Sequence, residues 1–116
     1  MDKPIGSSLA EVLAIYTLAK ALDVPVFSAS SLRWLPSLRQ WQQSTQVRGC
    51  DMHSPCALEL EYNHGPQLFF YGVHGVEMLC SVMGPGLATV AHTQTEDTDI
   101  CVATWKDGRI GTFRGE

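Results

Sequence analysis

A histidine and a glutamate stand three residues apart in YGVHGVEMLC, residues 71–80, inside an otherwise apolar run. Side chains three apart share one face of a helix. His74 and Glu77 would therefore offer an imidazole and a carboxylate to the same neighbour, whether a partner side chain, a metal or a substrate. An imidazole suits proton transfer because it titrates near neutral pH, and a carboxylate beside it can orient the ring. A second cluster, Cys50, His53 and Cys56 in CDMHSPC, holds the donor types of a zinc site, with His64 or Glu77 available as a further ligand. Its flanks read as extended chain. At about 3.3 Å per residue the two thiols would lie roughly 20 Å apart, with His53 facing away from both. This spacing favours buried or idle thiols, and no metal site is assigned.

The elements that must position these groups follow from periodicity and punctuation. Ser8-Leu9-Ala10-Glu11 has capping-box form, and Leu9, Val12, Leu13, Tyr16, Ala19 and Leu22 recur at helical spacing behind it. A helix is expected over 8–21, ended by Asp23 and Pro25. VPVFSAS at 24–30 reads as a buried strand. SSLRWLPSLRQWQQ resumes helical character, with Pro36 in a first turn or at a break. Residues 46–62 alternate loosely as one strand or two, and YNHGPQ at 62–67 is a loop. The histidine-bearing helix shows Phe69, Val73, Val76, Cys80 and Met83 as its apolar face, and MGPG at 83–86 stops it.

LATVAHTQT at 87–95 supplies a strand antiparallel to the next. DICVATW-KDGR-IGTF reads as a hairpin with Asp107-Gly108 as a two-residue turn. That turn pairs Trp105 with Ile110, Ala103 with Thr112 and Val102 with Phe113, and sets Lys106 opposite Arg109. Trp34, Trp41 and Trp105 read as core or interface residues. The chain contains neither G-x-G-x-x-G nor G-x-x-x-x-G-K-[ST], so no phosphate-cradling loop is expected.

The 116 residues suffice for one domain. Hydrophobic residues at 45% and charged residues at 17% suit a globular chain. Twelve acidic against eight basic side chains give a net charge of -4, which argues against a nucleic-acid footprint. No stretch is long and apolar enough to span a bilayer, and the N-terminus has no signal-peptide pattern. A cytoplasmic location with reduced thiols is expected. The first helix begins with no strand before it, and the few strands leave sheet edges unpaired. These features read as part of a larger α/β protein.

Several stretches together resemble one family in order and spacing. DKP at 2–4 resembles the [ED]-K-P motif of Gfo/Idh/MocA oxidoreductases, and residues 3–30 resemble the helix and strand that follow it. LRWLP at 32–36 resembles that family's R-[FYW]-x-P signature. YGVHGVEML resembles its G-x-H-x-x-[DE] helix, and WKDGRIGTFRG a hairpin of its second domain. The resemblance implies an α/β fold: an incomplete Rossmann remnant followed by a helix-packed, mostly antiparallel open sheet. Residues 1–30 would be the remnant of the dinucleotide-binding domain. Residues 31–116 would be a partial C-terminal substrate and oligomerisation domain.

It further implies an oxidoreductase fragment using NAD or NADP on a sugar or polyol, inactive as an isolated chain. Lys3 and His74 match catalytic positions, Glu77 and Tyr71 would meet substrate, and Lys3, Pro4 and Arg33 would lie on the cofactor side. The family often has an aspartate four residues before the histidine, where this chain has Phe70. A homo-oligomer through the open sheet is implied as well. The alternative is a non-catalytic binding or assembly module using that sheet.

Overall fold

The computed structural model describes residues 1–43, 46–56 and 68–116. Helix α1 spans Leu9–Ala21, with Ser8 Oγ accepting a hydrogen bond from the Glu11 N–H at 3.3 Å. The Glu11 carboxylate reaches back one residue further than a capping box requires, to the N–H and Oγ of Ser7 at 2.8 and 2.9 Å. Asp23 closes the helix in a left-handed conformation, φ 52°. The Val24 N–H then donates to Ala19 O and the Asp23 N–H to Lys20 O, which is a Schellman closure. The apolar stripe of α1 finds no cover: none of its residues is buried.

The strand expected over 24–30 does not form. These residues are extended but pair with no strand among the described residues, and Phe27 is 74% exposed. A strand requires a neighbour for its backbone groups. What this segment has instead is the chain start: the Met1 ammonium donates to Phe27 O at 3.1 Å, and Ser28 Oγ to Asp2 O at 3.2 Å. A 3-10 turn, Ser31–Trp34, follows, and then helix α2, Pro36–Gln43. Pro36 both interrupts the helical run and opens α2 at the first position, where its absent N–H costs nothing.

Four strands form one sheet: β1 (Gly49–Ser54), β2 (Leu87–Gln94), β3 (Asp99–Trp105) and β4 (Ile110–Gly115), in the order β1-β4-β3-β2. β2, β3 and β4 are antiparallel neighbours, while β1 lies parallel to β4. The fold is thus α/β with a mostly antiparallel open sheet. The expected loop at 62–67, and any strand beyond residue 56, lie outside the described residues.

The hairpin register differs from the expectation by one residue. Thr104 faces Ile110, Val102 faces Thr112 and Cys101 faces Phe113. A two-residue turn would need Asp107 at positive φ, but only Gly108 takes that conformation, at φ 87°. The loop therefore has three residues, closed by Gly108 N–H to Trp105 O and Trp105 N–H to Arg109 O, both 2.9 Å. The slip decides what is inside. With Trp105 and Ala103 on the core face, the expected register would bury Arg114; the observed one buries Phe113, at 0% exposure.

Helix α3, Val73–Met83, covers the β1–β4 half of the sheet and is entered through a π-helical turn, Leu68–Gly72. Its seated face matches the expected one only in part: Met83 is in the core and Val76 packs against it, but the rest of the buried face is turned toward other residues. Gly75, Leu79, Ser81 and Met83 are buried, whereas Phe69 stays 39% exposed. Gly75 sets this face: a Cβ there would meet Phe113 Cε2 at 2.5 Å and the Ser54 side chain more closely still. The core comprises Leu79, Met83, Ala103, Trp105, Phe113 and Cys56. Gly84, φ 75°, ends α3 as MGPG suggests, and Trp105 Nε1 donates to its carbonyl at 2.8 Å. Trp105 is core, but Trp34 and Trp41 are 55% and 61% exposed.

Candidate active site

The groups singled out around His74 come together. His74 and Glu77 lie on the first two turns of α3, and Tyr71 lies on the π-helical turn before it. Lys3 and Pro4 come from the chain start, joined by a cis peptide bond. Arg33 sits in the 3-10 turn. The Lys3 ammonium stands 5.5 Å from the centre of the Tyr71 ring, a cation–π distance. The Tyr71 and His74 rings meet edge-to-face at 5.0 Å between centres. Lys3 and His74, 71 positions apart in sequence, thus border one cluster.

Burial is the largest influence on His74 and lowers its pKa; the Lys3 charge lowers it further, against weaker opposing effects of Glu77 and Asp2. The neutral ring is favoured. Glu77 does not touch His74 directly. One carboxylate oxygen accepts from the Ser30 backbone N–H at 3.0 Å, and the other lies 3.6 Å from the Arg33 guanidinium. Glu77 therefore ties the 3-10 turn to α3 and leaves the ring to another partner.

That partner is Ser30, which sequence reasoning passed over. Ser30 is fully buried, and its Oγ lies 2.5 Å from His74 Nδ1. The same oxygen accepts the Leu32 N–H at 3.1 Å, as the cap of the 3-10 turn. A serine before a short helical turn signals only the cap. Its contact across 44 residues has no local signature in the sequence.

The other cluster does not assemble. Cys50 packs at the core edge, and Cys56 is buried under Gly115 and Gly72. His53, on the opposite face of β1, lies 3.5 Å from the Glu116 carboxylate. His64 lies outside the described residues. Among the described residues no three His, Cys, Asp or Glu side chains are placed to hold a metal. Cys56 instead lies 3.5 Å from Asp99, whose other oxygen is 2.6 Å from His92 Nε2. Burial first, and the Asp99 charge second, push the Cys56 thiol up to about 11. It is a structural thiol, poorly suited to nucleophilic work.

Concavities lie elsewhere as well. One of about 840 Å³ sits at the far end of α3, lined among others by Arg33, Cys80, Met83, Gly84, Trp105 and Arg109, and takes in none of Lys3, Tyr71 or His74. Another, apolar and about 270 Å³, lies between α3 and the β2 side of the sheet. The polar cluster is chosen on chemistry rather than on volume.

No family model and no curated protein sequence matches the chain. Two solved structures do share its fold. An NAD-binding protein from Listeria innocua superposes with a TM-score of 0.74 at 16% identity, covering 98% of this chain and 40% of its own. A "putative dehydrogenase" from Bordetella bronchiseptica RB50 gives the same TM-score and identity, covering 99% of this chain and 36% of its own. The chain thus spans about two fifths of the length of either. Among the described residues no helix is long and apolar enough to cross a membrane.

Proposed function

We propose that the cluster of Lys3, Tyr71, His74 and Glu77 is the substrate side of an oxidoreductase site of Gfo/Idh/MocA type, acting on a sugar or polyol with NAD or NADP. The observation that carries this reading is the meeting of Lys3 with Tyr71 and His74, whose motifs lie far apart in the chain but share a site in that family. The cofactor would supply or take the hydride; the protein supplies position and electrostatics. Lys3 would donate a hydrogen bond to the reacting oxygen and stabilise negative charge there. His74 would hydrogen-bond the same oxygen, and Tyr71 would wall the substrate. Arg33 and Pro4 would face the cofactor.

The residues fit only one end of a dinucleotide. An ammonium, an aromatic ring and an imidazole suit a nicotinamide beside its substrate, but the sequence offers no glycine-rich turn for the pyrophosphate. The purified chain is therefore expected to bind NAD feebly and to turn nothing over alone. Residues 1–30 and 31–116 would belong to the cofactor and substrate domains of a larger whole, in the cytoplasm. A titration with hexoses and cyclic polyols, followed by NMR, tests the substrate side. Shifts confined to Tyr71, His74 and their neighbours are expected; saturating sugar that moves none of them contradicts the reading.

A second reading has its own support. The sheet face away from α3 has no cover among the described residues, with Val102 40% and Ile110 53% exposed. A non-catalytic assembly module would use this face, in a homo-oligomer. Light scattering that finds a monomer at high concentration would remove it.

A further inference from the structure

We propose that Ser30 is a positioning residue that holds His74 in one neutral tautomer, proton on Nε2, so that the ring meets its ligand as a hydrogen-bond donor matched to a carbonyl oxygen. The ligand half of this inference rests on the substrate-site reading above; the tautomer half does not.

Ser30 has no exposed surface. Its oxygen accepts the Leu32 N–H at 3.1 Å and lies 2.5 Å from His74 Nδ1. These are its hydrogen-bonding neighbours among the described residues, and of the two only Nδ1 can accept. If Nδ1 carried the proton, it would donate to Ser30 Oγ. That oxygen would then accept twice, and its own proton would be buried without an acceptor, which is the costly arrangement. Donation by Ser30 to Nδ1 satisfies every atom. It leaves Nδ1 bare and puts the ring proton on Nε2, the far nitrogen and the one free to meet a ligand.

The rest of the site supports this assignment. Glu77 fixes the Ser30 backbone through its N–H at 3.0 Å, so the hydroxyl is anchored at both ends of the residue. A carboxylate at Nδ1 would favour the imidazolium, whereas a hydroxyl that must donate disfavours it. The Lys3 charge acts in the same direction. Two donors, the Lys3 ammonium and the His74 Nε2–H, suit an oxygen with free lone pairs. A hydroxyl that must lose its proton would find no base in a ring so held. The ligand class is therefore a polyhydroxy ketone or aldehyde, the oxidised partner of the sugar or polyol.

NMR of the purified chain labelled with 15N-histidine tests the tautomer without nucleotide or sugar. His74→Gln identifies the signals. The wild type should show Nδ1 bare and Nε2 protonated. Ser30→Ala should lower the ratio of Nε2–H to Nδ1–H several-fold, and Ser30→Thr, which keeps the hydroxyl, should restore it. A wild-type ring protonated at Nδ1, or an alanine variant with an unchanged ratio, overturns the assignment. If the alanine variant does not fold, the wild-type spectrum alone decides. For the ligand half, a polyhydroxycyclohexanone should bind several-fold tighter than the matching cyclohexanol, and Ser30→Ala should erase that preference. Equal binding by the wild type refutes the donor role, while a confirmed tautomer with no binding of either refutes only the substrate reading.

Discussion

Helices α1 and α3 are both read without difficulty from the sequence, yet they live in opposite environments. α1 has the better local signals: a serine N-cap, a first-turn glutamate and a Schellman closure at Asp23. None of its residues is buried. α3 has no side-chain cap at its start and begins through an irregular π-helical turn. It nevertheless buries Gly75, Leu79 and Met83 against the core of the sheet. Capping and propensity decide that a helix forms; a complementary surface decides what it is worth. The candidate site spans this divide, since Lys3 and Ser30 flank α1 while His74 and Glu77 belong to α3 and Tyr71 to the π-helical turn that leads into it.

The contrast can be broken most sharply at the core. Phe113→Ala should cost about 3–5 kcal/mol in urea denaturation, as large-to-small changes at full burial do. Gly75→Ala should also destabilise, although the same exchange inside an open helix gains up to about 1 kcal/mol, because the new methyl would press on Phe113. A neutral Gly75→Ala would mean that α3 is not seated as described.

Next in size is an alkaline pH effect from the buried thiols of the core. The Cys56 thiol keeps its proton in the folded protein to about pH 11, while the unfolded chain ionises near its ordinary value. The unfolded state thus binds fewer protons between these values, and stability should be intact below the lower one and fall as pH rises toward the upper. Denaturation midpoints across that range should show the fall, and Cys56→Ala should lessen it while costing stability at neutral pH, with Cys50, Cys80 and Cys101, which burial also raises, carrying the remainder. An equally steep fall in the alanine variant would place the cause elsewhere.

At the small end is α1. Ser8→Ala should cost about 1 kcal/mol of helix stability through loss of the cap, and Leu13→Ala about 0.5 kcal/mol or less, as at an exposed position. A loss of several kcal/mol at Leu13, read by circular dichroism melting, would show that the stripe of α1 is covered in solution.

The same contrast explains what the sequence made legible. Ser8 caps its own helix with its side chain, and Pro36, Gly84 and Gly108 act through their own backbone, so α1, the start of α2, the end of α3 and the presence of a hairpin are all legible locally. The hairpin's register is not, because it is decided by which of Phe113 and Arg114 can be buried. Residues 24–30 have strand character but lack a partner to pair with. His74 stands out through its spacing from Glu77, and Lys3 and Tyr71 through the motif resemblance. Ser30 does not, because its two roles, capping a turn and holding a ring, meet only after the turn packs on α3.

The account rests on the Lys3 ammonium and the His74 ring sharing one site. Titration of His74 by NMR in the wild type and in Lys3→Met tests this most directly. Removing the positive charge should raise the His74 pKa. A His74 titration that Lys3→Met does not move would separate the two groups and end the proposal.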